Sequence, residues 1–227
     1  MTATLATTAC KECGREIEFE PLEFYGKAVG TPGYCDKCLD TLWKEEEAEE
    51  LRQRYETRLD RSQLPENLRS ISLPADGLGE IAGRWAREEL AKPGLCLVGP
   101  VGVGKTYLAA AACWERLKRK GCLWVPVARL LTELHGGFNE GREKASKIIA
   151  GTGAIVLDDL DKINPTEHGK SVIFAAVDGR VEAGVPLLVT TNLGLAEVEA
   201  KLGDAVASRL MGHCEVLRLE GEDRRAA

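Results

Sequence analysis

The sequence has little that a membrane or an export pathway would use. No apolar run approaches the roughly 18 residues of a membrane span. The opening MTATLATTAC lacks both the basic and the apolar region of a secretion signal. These absences predict a cytoplasmic protein with no membrane partner. An excess of positive charge is missing as well: 30 Lys and Arg stand against 36 Asp and Glu, a net charge of −6. That balance excludes a general polyanion binder and leaves room only for a local basic surface. No internal repeat is present. Glycine and proline are absent from residues 39–63, LDTLWKEEEAEELRQRYETRLDRSQ, which are rich in helix formers and predict a mostly solvated connecting helix. Leu51, Tyr55 and Leu59 share one of its faces. The acidic run Glu45–Glu50 either solvates the helix or offers an acidic contact surface, and Pro65 breaks the pattern.

Large apolar residues are scarce in the first 40 positions, so this segment can scarcely bury a core alone. What it has instead is two Cys-x-x-C pairs, Cys10/Cys13 and Cys35/Cys38, separated by 21 residues. Four soft thiolates are the set that tetrahedral Zn²⁺ prefers, and Gly14 follows the first pair where the chain must turn tightly. Metal binding supplies the folding free energy that the core cannot. A pair of redox dithiols is the rival reading, but the thioredoxin-like βαβ unit that such sites need is missing. Four ligands close the coordination shell, which makes the zinc structural and the module an adaptor. Cys96, Cys113, Cys122 and Cys214 stand singly among apolar residues and read as buried, reduced, small hydrophobes.

The stretch LVGPVGVGKTYLA contains Gly-x-x-x-x-Gly-Lys-Thr, made by Gly99, Pro100, Val101, Gly102, Val103, Gly104, Lys105 and Thr106. Its glycines let backbone N–H groups turn inward onto phosphate oxygens. Lys105 brings a charge to the outer phosphates, and the Thr106 hydroxyl can ligate Mg²⁺. Apolar residues precede the loop and a helical composition follows it, the strand–loop–helix context that a nucleotide site requires. Further on, AIVLDDLD places Asp158 and Asp159 at a strand end. Asp158 suits Mg²⁺ through its water shell, and Asp159 suits the attacking water. Asp is one methylene shorter than the Glu that many such ATPases carry there; helix-capping aspartates are the plainer alternative. LLVTTN ends in Asn192, which reads either as a ligand of the γ-phosphate or the water, or as a turn former. Five apolar runs (LCLVG, LWVPV, AIVLDD, PLLVTTN, EVLRL) alternate with helical stretches. Continuous rather than alternating apolarity predicts a parallel sheet buried on both faces, hence an α/β fold. ERLKRKG is basic at a helix C-terminus, where the helix dipole alone accounts for such charge.

The order GPVGVGKTYLA, LWVPVARLL, IVLDDL, FAAVDGRVEAGVPLLVTTNL, AVASRLM, LRLEGEDRR resembles the DnaC/DnaI/IstB group of AAA+ ATPases over about residues 64–225. The resemblance implies an AAA+ P-loop core with a five-stranded parallel sheet, ATP with Mg²⁺, and hydrolysis. It further implies that Asn192 acts as a sensor 1 and Arg209, in AVASRL, as an arginine finger acting on a neighbouring subunit. Arg225 corresponds to a C-terminal sensor 2, and Arg180 to a recurrent arginine without a derivable role. Arg142, Lys144 and Lys147 fall in the stretch that in this group contacts single-stranded DNA, although its net charge is only about +1. The expected organisation is a zinc module at 1–40, a helical linker at 41–67 and the ATPase domain at 68–227. Three functions compete on this basis. The first is a loader that grips a hexameric replicative helicase through the zinc module and single-stranded DNA through the core, self-assembling through ATP interfaces. The second is an IstB-like transposition helper, and the third a zinc-containing nucleotide-binding adaptor with little hydrolysis.

Overall fold

The computed structural model describes residues 6–20, 22–24, 27–29, 32–135, 153–162 and 166–223. It divides into two units, Met1–Arg54 and Tyr55–Ala227. In the first, strands β1 (Ala6–Ala9) and β2 (Glu16–Phe19) form an antiparallel hairpin, and β3 (Leu22–Phe24) and β4 (Lys27–Val29) form another. Helix α1 (Asp36–Ser62) begins in this unit. The expectation of one apolar face along α1 holds only at its end. Leu51 is exposed, whereas Tyr55 and Leu59 pack on the core of the second unit, with Tyr55 edge-on to Trp114 at 5.8 Å between ring centroids. The reason is the unit boundary after Arg54: only residues beyond it meet a core.

The second unit carries α2 (Gly77–Arg87), β5 (Gly94–Val98), α3 (Lys105–Leu117), β6 (Cys122–Pro126), α4 (Val127–His135), β7 (Ala154–Asp158), α5 (Glu167–Ala183), β8 (Leu187–Thr191), α6 (Leu195–Leu202), α7 (Asp204–His213) and β9 (Cys214–Arg218). The five strands form one parallel sheet in the order β6-β7-β8-β5-β9, the parallel sheet that the resemblance implies. Successive side chains of β5 point to opposite faces. Leu95 and Leu97 join the core beneath α2 and α3, while Cys96 and Val98 join the core formed with α5, α6 and α7. Strands β5, β7 and β8 are buried at every position, as a two-sided core demands. Strand β9, read from sequence as another continuous run, alternates in exposure because it is a sheet edge. All four solitary cysteines are buried.

Local sequence explains the helix ends. Asp76 caps α2 by accepting from Gly79 N–H at 2.9 Å, and Thr166 caps α5 by accepting from Gly169 N–H at 3.1 Å. The basic stretch at the end of α3 and just beyond it is consumed by structure. Arg116 is buried and bonds Glu88, Lys120 pairs with Glu88, and Lys118 pairs with Glu115. Arg58 of α1 donates to the carbonyls of Lys118 and Arg119, satisfying acceptors left open at that helix end. Among the described residues no helix is long and apolar enough to cross a membrane.

Candidate nucleotide site and cysteine cluster

The C-terminal ends of parallel strands leave a crevice on one edge of the sheet, and the phosphate-binding loop lies there between β5 and α3. Gly102 and Gly104 have φ of 81° and 101°, the left-handed conformations that let Gly99–Thr106 curl around an anion. Gly99 is required by space: a Cβ would lie 2.3 Å from the Leu219 carbonyl oxygen, just beyond β9. The loop delivers Lys105 and Thr106 at the N-terminus of α3, where the helix dipole favours phosphate. Val103 is buried beneath the loop and Val101 is exposed on it.

Lys105 is buried. Its Nζ donates to the carbonyls of Gly99 and Pro100, each at 2.7 Å, and to Asn192 Oδ1 at 2.6 Å. These three neutral acceptors hold the ammonium beside the phosphate-binding loop. Asp158 Oδ1 accepts from Thr106 Oγ1 at 3.2 Å and from Thr190 Oγ1 at 2.7 Å. This pair of oxygens, one hydroxyl and one carboxylate, fits a hard divalent cation such as Mg²⁺. Burial raises the Asp158 carboxyl above its ordinary value and Asp159 adds to the rise, against the Thr190 and Thr106 hydroxyls. A carboxylate so placed gains from any nearby cation.

Asp159 begins a tight turn. Its φ is +60°, its N–H donates to Thr190 Oγ1 at 2.8 Å, and its carboxylate pairs with Lys162. Asn192 is oriented from behind. Its backbone N–H and side-chain amide donate to the two oxygens of Asp161, at 2.9 and 2.7 Å. Burial alone would raise the Asp161 carboxyl, but hydrogen bonds from Asn192, its own backbone and Thr191 together hold it below the ordinary range. Two amide protons fixed on Asp161 leave Asn192 Oδ1 facing Lys105. Arg209, on α7, pairs with Asp178 and lies over the Phe174 ring at 4.6 Å, both residues on α5. Arg180 is buried and donates to the Gly153 carbonyl at 2.7 Å, tying α5 to the start of β7.

Sequence reading missed Thr190, Asp161, Lys162, Asp178 and Phe174. For Thr190, Asp161 and Lys162 the only sign was polarity at a strand end, which does not reveal which side chains meet; Asp178 and Phe174, inside α5, gave none. It also missed Asp223, whose carboxylate lies so close to Gly102 that a Cβ there would meet Oδ1 at 1.8 Å. Arg142, Lys144, Lys147 and Arg225 lie outside the described residues.

In the first unit, Cys10 and Cys13 sit around the β1–β2 turn, Cys35 just before α1, and Cys38 in its first turn. The four Sγ atoms lie within 4.8 Å of one another, with Cys13 and Cys35 at 3.7 Å. A tetrahedron with Zn–S bonds of about 2.3 Å has sulfur–sulfur edges of about 3.8 Å, so the cluster fits that ion. Cys10 accepts from the Cys35 N–H at 3.3 Å. Backbone donors of Cys13 and Cys35 lower its thiol to about 6, while hydrogen bonding to Cys13 and Cys35 pushes Cys38 up to about 12. Four adjacent thiols cannot all ionise without a cation at their centre.

A family profile described as "IstB-like ATP binding protein" matches residues 32–227. Among solved structures, the chain is similar to DnaI, with 26% identity and a TM-score of 0.59 over 72% of this chain and 95% of that one. It is similar to the DnaC helicase loader at 20% identity and TM-score 0.57, over 69% of this chain and 100% of that one. DnaA bound to AMPPCP and single-stranded DNA matches at 18% identity and TM-score 0.58, over 70% of this chain and 52% of that one. The last two likenesses speak for the fold alone. With the phosphate loop, the paired aspartates and the parallel sheet in place, the profile match decides the identity: the chain belongs to the IstB-like ATP binding protein family and is an AAA+ ATPase of the DnaC/DnaI/IstB type.

Proposed function

We propose that this ATPase loads a hexameric replicative helicase. Its zinc module, residues 1–40 followed by the linker 41–67, grips the helicase, and its core at 68–227 engages single-stranded DNA and assembles through ATP interfaces. In the core, Lys105 and the loop from Gly99 to Thr106 bind ATP. Thr106 and Asp158 hold Mg²⁺, Asp159 positions the attacking water, and Asn192 senses the γ-phosphate. Arg209 completes the site of a neighbouring subunit, and Arg225 serves as a second sensor. The observation that carries the loader reading is the likeness to DnaI over 95% of that chain's length, at an identity above that of the other loader. The IstB-like profile supports a second reading, an ATPase that serves a transposase.

One experiment separates them. Immobilised full-length protein with ATP should retain the cognate hexameric helicase from a purified preparation and ignore the transposase of an IstB-type element. Retention of the transposase alone reverses the assignment.

The zinc reading makes its own prediction. Freshly purified protein should contain about one zinc per chain, and Cys35→Ser should lose it and unfold the N-terminal module while ATP binding persists. Binding survives because the second unit has its own two-sided core. Elemental analysis that finds no metal ends the claim. If Cys35→Ser keeps helicase capture at the wild-type level, the module is not the grip.

A further inference from the structure

The ion pair between Asp159 and Lys162 is not an ordinary surface contact. Asp159 starts a single 3-10 turn over Leu160–Lys162, closed by the Lys162 N–H donating to the Asp159 carbonyl at 3.0 Å. The closed turn holds Asp159 and Lys162 close together, and across it the ammonium pairs with the carboxylate. Everything between them is anchored. The Asp159 N–H is held by Thr190, Leu160 is buried, the Asp161 carboxylate is held by Asn192, and the Asp161 carbonyl accepts from Lys201. Exposed pairs contribute little because two flexible chains must be ordered to make them. Here the backbone that carries both groups is ordered by other contacts, so the pair loses only the Lys162 side-chain freedom.

Resting on the reading that Asp159 positions the attacking water, we propose that Lys162 is a built-in brake on hydrolysis. A carboxylate that orients water must accept a hydrogen bond from it through a free oxygen. The Lys162 ammonium occupies one Asp159 oxygen and so competes with water for it. Water oriented at that oxygen requires the pair to open, so the closed pair slows hydrolysis. Lys162 acts through Asp159 and is a positioning residue. Its exposed ammonium leaves it accessible to whatever opens the pair.

Steady-state ATPase assays on the full chain test this with Lys162→Met, Lys162→Arg, Asp159→Asn and the double variant Asp159→Asn/Lys162→Met. Lys162→Met keeps the stem and removes the charge. Its kcat should rise about threefold to tenfold, the worth of one modest ion pair, with KM and the affinity for a fluorescent ATP analogue unchanged. Lys162→Arg restores the charge and should restore the slow rate. In the Asp159→Asn background the Lys162→Met change should have no effect on kcat. A Lys162→Met rate equal to or below wild type, with Asp159→Asn inactive, overturns the brake and leaves the water-positioning reading intact. Wild-type turnover by Asp159→Asn overturns that reading and the brake with it. Thermal unfolding of each variant at the wild-type midpoint excludes a folding defect as the source of any fall.

Discussion

Chains carrying Arg209→Ala and chains carrying Lys105→Ala should each fail to turn over ATP alone and regain turnover when mixed. Lys105→Ala removes the ammonium that the site holds between Gly99, Pro100 and Asn192, so ATP binding is lost or strongly weakened. Arg209→Ala leaves that loop intact. Its guanidinium pairs with Asp178 and stacks on Phe174, so both partners hold it against α5 rather than against the phosphate loop. Such an arrangement pre-orders a long side chain before it meets a phosphate, which lowers the entropy lost on contact. An arginine at the developing charge of phosphoryl transfer is worth on the order of 10³-fold or more, well above background. In a mixed assembly some interfaces pair an intact loop from one chain with an intact Arg209 from the next, and those interfaces should work. A finger acting within its own chain predicts no rescue at any ratio. The assay belongs under assembly conditions, with single-stranded DNA and helicase present. Absence of rescue there returns Arg209 to a structural role between α5 and α7.

Asp159→Asn should bind ATP as wild type does and lose hydrolysis by about 10²- to 10⁴-fold, the usual worth of a positioned base. The substitution keeps the shape of the side chain and the Asp159 N–H bond to Thr190, so the turn persists. It removes the charge that pairs with Lys162 and the basicity that would orient water. Binding is carried elsewhere, by the loop amides and Lys105, so affinity for a fluorescent ATP analogue should not move. Asp158→Asn should behave differently. Asp158 is the buried partner of Thr106 and Thr190, and losing its charge removes the carboxylate of the Mg²⁺ position. Its loss should appear as a weaker dependence of binding on Mg²⁺ as well as a lower rate. Equal binding and equal rate losses in the two variants would show that the aspartates do not divide the work.

Much of this protein was legible in one dimension because its physics is local there. The phosphate loop needs glycines at fixed offsets, a lysine and a threonine, and all eight residues are contiguous. The parallel sheet announces itself through LCLVG, AIVLDD and PLLVT, since a strand covered on both faces has no position where a polar residue is cheap. The cysteine pairs were readable as one cluster because four like residues at paired spacing are a sharper pattern than any packing contact leaves.

Other features are contacts between segments far apart in the chain, and only the tertiary structure decided them. The strand order β6-β7-β8-β5-β9 places Thr190 beside Asp158 and the end of β8 beside the turn after β7. Nothing in VTTN or LDDLD signals that Asp161 fixes both amide donors of Asn192 and so aims its carbonyl at Lys105. Arg209 looks like any helical surface arginine until α5 brings Asp178 and Phe174 beneath it. Leu51 looks as apolar-facing as Tyr55, and where the second core begins separates them. Local spacing determines which chemistry a segment can perform; the sheet order determines which partners restrain it. Those partners lie about 30 residues or more from the groups they restrain, beyond the reach of any motif.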